Sequence, residues 1–421
     1  MESYAQVLQY AIPFFMVLIG IEWMIGMSRG IATNRSFDTI SSLSSGMTNT
    51  IKEVLGLTII IVSYGWMVDH FSFFSIEASW LLYVLTFIGL DFAGYWSHRF
   101  NHTINLFWNR HIIHHSSEEF NLACALRQSI SEFFSIYFFL LVPLAALGIP
   151  QEVIAVVAPL HLFAQFWYHT RLIDKMGFLE HIIVTPSHHR VHHAINKIYI
   201  DKNYSQIFIV WDKWFGTFQQ ELTEEIPVYG VKKPVQTWNP ILINFQHVAL
   251  LFMDAWRAQK WSDKFKIWFM PTGWRPEDVK KNYPIQVDEA HTQVKYAVPA
   301  PLSMKIWSWI QLFFTLAMMI YMLRYIDQFS FLELLVYGFF LMASIYSYTS
   351  LMDGYRYAVH ISVFILGMTG LIYYWQSGWF QLSLKWPTGN YIIMFYTCLV
   401  VAMTIYFQKY TRTWTQAKSP A

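Results

Sequence analysis

Nine stretches of this sequence are apolar and almost free of charge, and a chain that carries them has few folds open to it. They are Val7–Met27, Val54–Val68, Ile76–Trp96, Phe133–Leu147, Ile154–Trp167, Met304–Leu323, Phe331–Tyr348, Ala358–Trp375 and Tyr391–Phe407. An α-helix advances about 1.5 Å per residue, so runs of this length approach or exceed the roughly 30 Å of a bilayer's hydrocarbon. A helix also satisfies its own backbone groups, which lipid cannot do. The expected fold class is therefore all-α, a polytopic integral membrane protein. The fourth and fifth runs are short and joined only by Gly148-Ile149-Pro150-Gln151, so they could form a hairpin that does not fully cross. Buried helices of a soluble protein are the competing reading. They fit poorly, since so many uncharged runs would leave such a protein no water-facing side.

Composition agrees. Charged residues make up 13% of the chain, against roughly 25% in an ordinary soluble domain. The 19 Trp and 25 Tyr suit a protein with two lipid–water interfaces to line. A net charge of +2 gives no electrostatic footprint for nucleic acid. Cys124 and Cys398 read as free thiols, too few for a disulfide framework or a thiolate metal site. The first apolar run lacks a basic leader and a small-residue cleavage site, so it reads as a retained span.

Loop charge gives an orientation. The loop after the first run holds Arg29, Arg35 and Lys52, and the loop after the second holds Asp69, His70 and Glu77 with no Lys or Arg. Positive loops stay cytoplasmic. The first loop, Arg171–Pro301 and the tail with Lys409, Arg412 and Lys418 are then all expected on the cytoplasmic side. The stretch Asp254–Tyr283 mixes Lys and Arg with Trp and Phe. It reads either as a helix lying in the interface plane or as an amphipathic helix packed on a cytosolic domain.

Twelve of the 16 histidines fall between His98 and His193. His98 and His102 are four apart; His111, His114 and His115 repeat that spacing with a third ring, and so do His189, His192 and His193. On a helix, residues three and four apart share a face. Three such turns can therefore aim eight imidazoles at one region, enough for two metal ions with open positions left. Imidazole must be neutral to bind metal, and its ordinary pKa near 6.5 already favours that form at pH 7. Spacing does not choose among Zn, Cu, Fe and Ni. The zinc-protease motif H-E-x-x-H and the Glu-x-x-His pattern of soluble di-iron bundles are both absent.

Ligating histidines usually donate their other N–H to a carboxylate or carbonyl. Asp91, seven residues before His98 on the same helical face, is the first candidate for that orienting role; Glu118, Glu119 and Asp201 are weaker ones. His161 and His169, eight apart, could add a ligand, and His169 is carried as a ninth metal candidate. His188 is a spare. His70, His181, His247, His291 and His360 are isolated and read as packing or surface residues.

H-x-x-x-H, H-x-x-H-H and H-x-x-H-H on a polytopic chain resemble the fatty acid hydroxylase / sterol desaturase superfamily. Trp96–His102, His111–Ser129, Gln165–Thr170, Thr185–His193, Tyr199–Tyr204 and Val210–Phe218 carry the likeness, strongest over Gly94–Gln220 and closest to the members that cleave ether lipids. The resemblance implies two irons held by His98, His102, His111, His114, His115, His189, His192 and His193, with O2 as cosubstrate and a membrane lipid as substrate. It implies hydroxylation of the carbon beside an ether oxygen, with tetrahydrobiopterin as reductant; hydroxylation or desaturation of a sterol or fatty acyl chain is the alternative. Vertebrate ether-cleaving members carry an acidic residue directly after the second histidine, where this chain has Thr103. The domains expected are residues 1–75, an N-terminal membrane region; 76–220, a cytoplasmic-side, histidine-rich di-metal helical catalytic domain; 221–301, a cytoplasmic or interfacial segment; and 302–421, four C-terminal spans.

No dinucleotide fingerprint, haem-attachment motif or iron–sulfur ligand set occurs in the sequence, so electrons are expected from a separate protein or a pterin. Arg127 and Arg190, beside the second and third clusters, are candidates to hold an anionic headgroup or to pair with acidic side chains. A metal transporter would place its site near the bilayer midplane on broken helices, whereas these clusters follow the end of a run. A non-catalytic membrane protein keeping a structural metal is the remaining rival.

Overall fold

A computed structural model describes residues 2–417 except 61, 133 and 136. Phe133, which opens one expected span, and Lys418 of the tail lie outside the described residues. In chain order the helices are α1 (Glu2–Ser28), α2 (Ser36–Val54), α3 (Tyr64–Phe71), α4 (Trp80–Thr103), α5 (Asn105–His115), α6 (Val142–Ala146), α7 (Gln151–Phe163), α8 (Pro186–His192), α9 (Val210–Trp214), α10 (Pro240–Arg257), α11 (Trp261–Lys266), α12 (Glu277–Asn282), α13 (Leu302–Arg324), α14 (Phe331–Met352), α15 (Ala358–Gln376), α16 (Leu382–Lys385) and α17 (Gly389–Ala417). The strands β1 (Ile59–Ile60) and β2 (Phe134–Ser135) form a parallel two-residue pair.

Among the described residues, five helices are long and apolar enough to cross a membrane: Gln6–Ser28 of α1, α13, α14, α15 and Gly389–Lys409 of α17. The fold is thus a multi-pass helical one, as expected. Contacts between helix ends fix how these spans alternate. Gln9, near the start of α1, donates to the Leu323 carbonyl at the end of α13. Asp353, at the end of α14, accepts from Thr237 and the Trp238 N–H of the segment that follows the histidine clusters. Gln408 of α17 donates to the Tyr355 carbonyl. The histidine-bearing segments and the end of α17 therefore share one side, and the start of α1 lies on the other.

The other four expected spans are not four continuous apolar helices. They form two hairpins. In each, one limb is helical (α4 and α7) and the other is broken (β1 with α3, and β2 with α6). Pro143 within α6 supplies no N–H, and the 13 residues of α7 extend only about 20 Å. α4 has 24 residues, about 36 Å, but carries Asp91 and a polar last turn. The two hairpin tips touch. Phe73 N–H donates to the Ala146 carbonyl, and Gly148, at φ +79°, lies so close beneath the Phe74 carbonyl that no Cβ fits. Leu81, Val84, Leu85, Ile88 and Phe92 leave an exposed apolar stripe along α4.

The main core packs α2 beneath the spans. α2 is rich in Ser and Thr, yet most of it is buried. Ser42 and Thr48 turn their hydroxyls back to backbone carbonyls, and Ser44 bonds Tyr348 at 2.6 Å. Asp254–Tyr283 is not one helix. α11 ends before Pro271 and Gly273, and α12 starts after Pro276. Its Trp256, Trp261, Phe265 and Phe269 remain largely exposed.

Candidate metal centre

Four short elements meet at the end of α4. His98 and His102 come from the last two turns of α4. Ile104 is a single extended residue that ends α4 and starts α5, so the chain folds back and presents His111, His114 and His115 to them. Asn105 latches this corner: its amide donates to the Ile267 and Trp274 carbonyls and accepts from Gly273 N–H. α8 begins with Thr185 as N-cap and Pro186 in its first turn; His188 completes the capping box. That helix supplies His189 and His192, with His193 as its C-cap. His169 follows the end of α7.

The nine rings sort into two groups. His98, His102, His111, His115 and His192 form one; His114, His169, His189 and His193 form the other, with all ligand atoms of a group within 4.8 Å of one another. All eight motif histidines and His169 are thus brought together; His161 and His188 are in neither group. The Nε2 atoms converge. His98 lies 2.8 Å from His111, and His115 lies 3.1 Å from both His102 and His192. In the second group His189 lies 2.8 Å from His169 and 3.0 Å from His193, and His169 lies 3.4 Å from His114. An imidazole nitrogen sits about 2.1 Å from a bound ion, which separates neighbouring ligands by about 3 Å. The observed spacings are those of ligand edges around an ion. The His115 and His193 rings stack at 4.3 Å and join the groups.

Tautomers are set from behind. Nδ1 of His98 donates to the Tyr204 carbonyl at 2.7 Å, that of His192 to the Lys202 carbonyl at 2.9 Å, and that of His169 to the Gln165 carbonyl at 3.1 Å. Each donation leaves the Nε2 lone pair facing the cluster. Burial, with mutual repulsion among the rings, holds the histidines below their ordinary pKa. His98 falls to about 4 and His169 to about 3, and His102, His111, His114, His115, His189, His192 and His193 fall likewise. The nine are neutral at pH 7, the form that ligates. A neutral, all-nitrogen donor set in two groups fits two first-row transition ions, iron included.

Several expected roles need correction. Asp91 orients no cluster histidine. Its carboxylate accepts from His161 Nε2 at 2.8 Å, from Ile207 and Phe208 N–H, and from Trp211 Nε1. It thereby pins the loop next to Tyr204. Glu118 accepts from Tyr296 N–H, and Glu119 is clustered with Lys295, Arg171 and Arg35. Asp201 alone reaches a cluster ring, with its carboxylate 3.9 Å from His102 Nδ1. Neither arginine is free for a headgroup. Arg127 is buried against Asp38 at 3.0 Å, and Arg190 forks onto Glu221. His247 bonds the Asn105 carbonyl, while His70, His291 and His360 are exposed. Cys124 and Cys398 are free, as expected.

Other parts were not singled out from sequence. Phe120 stacks on His169, Tyr168 lies 4.5 Å from His189, and Trp108 and Tyr204 lie 5.0 and 5.3 Å from His102, all between ring centroids. These rings wall the cluster from water. Asp201 and Asn203 both have positive φ (58° and 56°), and their turn aims the Lys202 and Tyr204 carbonyls. Asn and Asp tolerate that conformation best among non-glycine residues, so Asp201-Lys202-Asn203 was the available signal. Glu22 of α1 bonds Thr170, the residue after His169.

The fatty acid hydroxylase family model matches residues 83–217, the span that contains all nine histidines. Alkylglycerol monooxygenase of Homo sapiens is 35% identical over 321 residues, 75% of this chain and 71% of its own length. The Danio rerio protein of that name is 38% identical over 278 residues, 65% of this chain and 61% of its own. Ornithine lipid hydroxylase OlsE of Rhizobium tropici is 29% identical over 136 residues, 32% of this chain and 41% of its own. No solved structure matches. The fold, the site and these likenesses together mark a membrane-bound, histidine-cluster oxidoreductase of lipid. The chain belongs to the alkylglycerol monooxygenase family, within the fatty acid hydroxylase group.

Proposed function

We propose that the chain is a di-iron, O2-dependent monooxygenase that hydroxylates the carbon beside the ether oxygen of an alkylglycerol lipid. The observation that carries this reading is the convergence of nine buried or half-buried imidazoles into two ligand groups. Two bound irons would supply the redox chemistry that puts one oxygen atom of O2 into a C–H bond, the other leaving as water with two electrons and two protons from an external donor. A carbon bearing both the new hydroxyl and the ether oxygen is a hemiacetal, which collapses to a fatty aldehyde and a glycerol. Tetrahydrobiopterin or a separate reductase would be the donor.

The chain's own residues do the positioning. The carbonyls of Tyr204, Lys202 and Gln165 hold three imidazoles in the ligating tautomer. Phe120, Tyr168, Trp108 and Tyr204 keep the reaction dry. The apolar stripe of α4 runs toward His98 and offers a lipid chain a sideways approach, with its headgroup at the interface. Arg29, Arg35, Lys52 and Lys409 share the histidine side of the spans, and this excess of positive charge supports a cytoplasmic placement of that side. Residues 76–220 would form the catalytic domain, 1–75 and 302–421 its membrane regions, and 221–301 the segment between.

Hydroxylation of a sterol or fatty acyl chain is the second reading; the likeness to an ornithine lipid hydroxylase supports lipid hydroxylation in general, and it covers 32% of the chain, against 75% for the human alkylglycerol enzyme. Metal analysis of detergent-purified protein, with lipid profiles of cells with and without it, separates the two. Two irons per chain, loss of ether lipid and gain of aldehyde are expected. A hydroxylated sterol or acyl chain with ether lipid unchanged would select the second reading, and fully active protein free of transition metal would end both. His192→Ala should abolish activity.

A further inference from the structure

The two ligand groups are built differently, and the difference lies behind the rings. In the five-histidine group the Lys202 and Tyr204 carbonyls, 2.9 and 2.7 Å away, fix His192 and His98, and the Asp201 carboxylate faces His102. The turn that presents these groups is firmly held. Asp212 accepts from Tyr204 N–H, Ser205 N–H and the Thr217 hydroxyl. Asn203 donates to the His188 and Gln219 carbonyls and accepts from Gln219 N–H. Those bonds keep Asp201 and Asn203 at positive φ, a conformation that most side chains resist. In the four-histidine group only His169 has a carbonyl behind it at hydrogen-bond distance among the contacts described. Among the described residues, the buried Nδ1 atoms of His114 and His189 have no hydrogen-bond partner. The Arg127 backbone lies near His114, but its Nδ1 makes no bond that meets hydrogen-bond geometry.

A ligating histidine whose outer N–H lacks a partner is a poorer donor and is free to turn. Losing one such partner typically costs 10–100-fold in metal affinity. From this contrast, and resting on the di-metal reading above, we infer that the two metal positions are unequal: the five-histidine site fills first and holds its ion tightly, and the four-histidine site fills second and gives its ion up first. Asp212 and Asn203 are positioning residues for the tight site. The weak site, with four nitrogens and two unbraced rings, keeps more coordination positions open.

Cobalt(II) titration of the full-length protein in detergent, against a competing chelator, tests this. Two classes of binding are expected, one ion each, separated by at least about 100-fold, two partners being absent on one side. His102→Ala should remove the tight class and His189→Ala the weak one. Asp212→Asn should weaken the tight class about 10-fold or more and leave the weak class in place. Two ions of equal affinity, or the variants removing the opposite classes, would overturn the inference and leave the di-metal reading intact. Protein that takes up no cobalt or iron would instead overturn the di-metal reading itself. The wild-type titration decides between these even if a variant fails to fold.

Discussion

The carboxylate of Asp91 and the imidazole of His161 are bonded at 2.8 Å, and both are buried outside the two histidine groups. Asp91 satisfies four donors at once, three of them in the Ile207–Trp211 segment. Removing it leaves them buried and unpaired at about 1–3 kcal/mol each. Asp91→Ala should lower thermal stability by several kcal/mol and shift the Tyr204 carbonyl away from His98. Asp91→Asn, which keeps an acceptor oxygen, should lose less. Detergent melting curves check this, and equal midpoints for Asp91→Ala and the parent protein would refute it.

Arg127 and Asp38 make a buried ion pair at 3.0 Å, and Arg127 also donates to Ser116, the residue after His115. Breaking such a pair by removing one partner costs about 3–5 kcal/mol, while replacing both with apolar residues of like volume is often neutral. Arg127→Met should therefore be strongly destabilised, and the double variant Arg127→Met with Asp38→Leu should recover most of the loss. A headgroup-binding arginine would behave otherwise: Arg127→Met would keep its stability and raise the KM for lipid. A double-mutant cycle read by thermal unfolding, with KM measured alongside, distinguishes the two.

Acid should unfold the metal-free protein early. Burial lowers the folded-state pKa of all nine histidines, His98 to about 4 and His169 to about 3, from the unfolded value near 6.5. Above pH 6.5 neither state gains protons at these rings, so their contribution to stability is complete. Between pH 6.5 and 4 the unfolded chain takes up protons that the folded chain refuses. Each ring then costs about 1.4 kcal/mol per pH unit. Chelated protein should lose melting temperature steeply over that window, and metal-loaded protein should hold its value further down. A flat profile for the chelated sample would contradict the burial of the cluster.

The histidine cluster was legible because its information is local: three and four residues apart on a helix means one face. Even His169, on a different element, was within reach through its eight-residue spacing from His161, although its partner went to Asp91 instead. The groups behind the rings were not legible. The carbonyls of Lys202 and Tyr204 carry no side-chain signature, and the pairing of Arg127 with Asp38 spans 89 residues of chain. Five of the nine apolar runs are helices of membrane-spanning length among the described residues; the other four are not among them, because length and hydropathy do not report continuity. Val54–Val68 breaks after Leu55, where Gly56 takes φ +62° and the chain leaves α2. Within Phe133–Leu147 the described residues form the strand pair Phe134–Ser135 and a short 3-10 turn, Tyr137–Leu141, ahead of α6.

How deep the two hairpins reach follows from α4. Nineteen residues separate Ser79, its N-cap, from His98, which is about 28 Å of helix. That length is close to the roughly 30 Å of hydrocarbon in a bilayer. With His98 at the interface on one side, an upright α4 would bring the tips around Phe73 and Gly148 to the opposite interface, although β1, α3, β2 and α6 are no spanning helices. The broken limbs tolerate this depth because they pair with each other: β1 bonds β2, and Phe73 bonds Ala146. Ser75 lies at a tip and is exposed. In sealed vesicles that carry the protein in one orientation, with the exposed Cys398 replaced, Ser75→Cys should react with a membrane-impermeant maleimide from the side of the α1 N-terminus. A cysteine at Lys202, on the histidine side, should react only from the other. Labelling of both from one side would mean that the hairpins turn back within a single leaflet, and that α4 lies aslant rather than across.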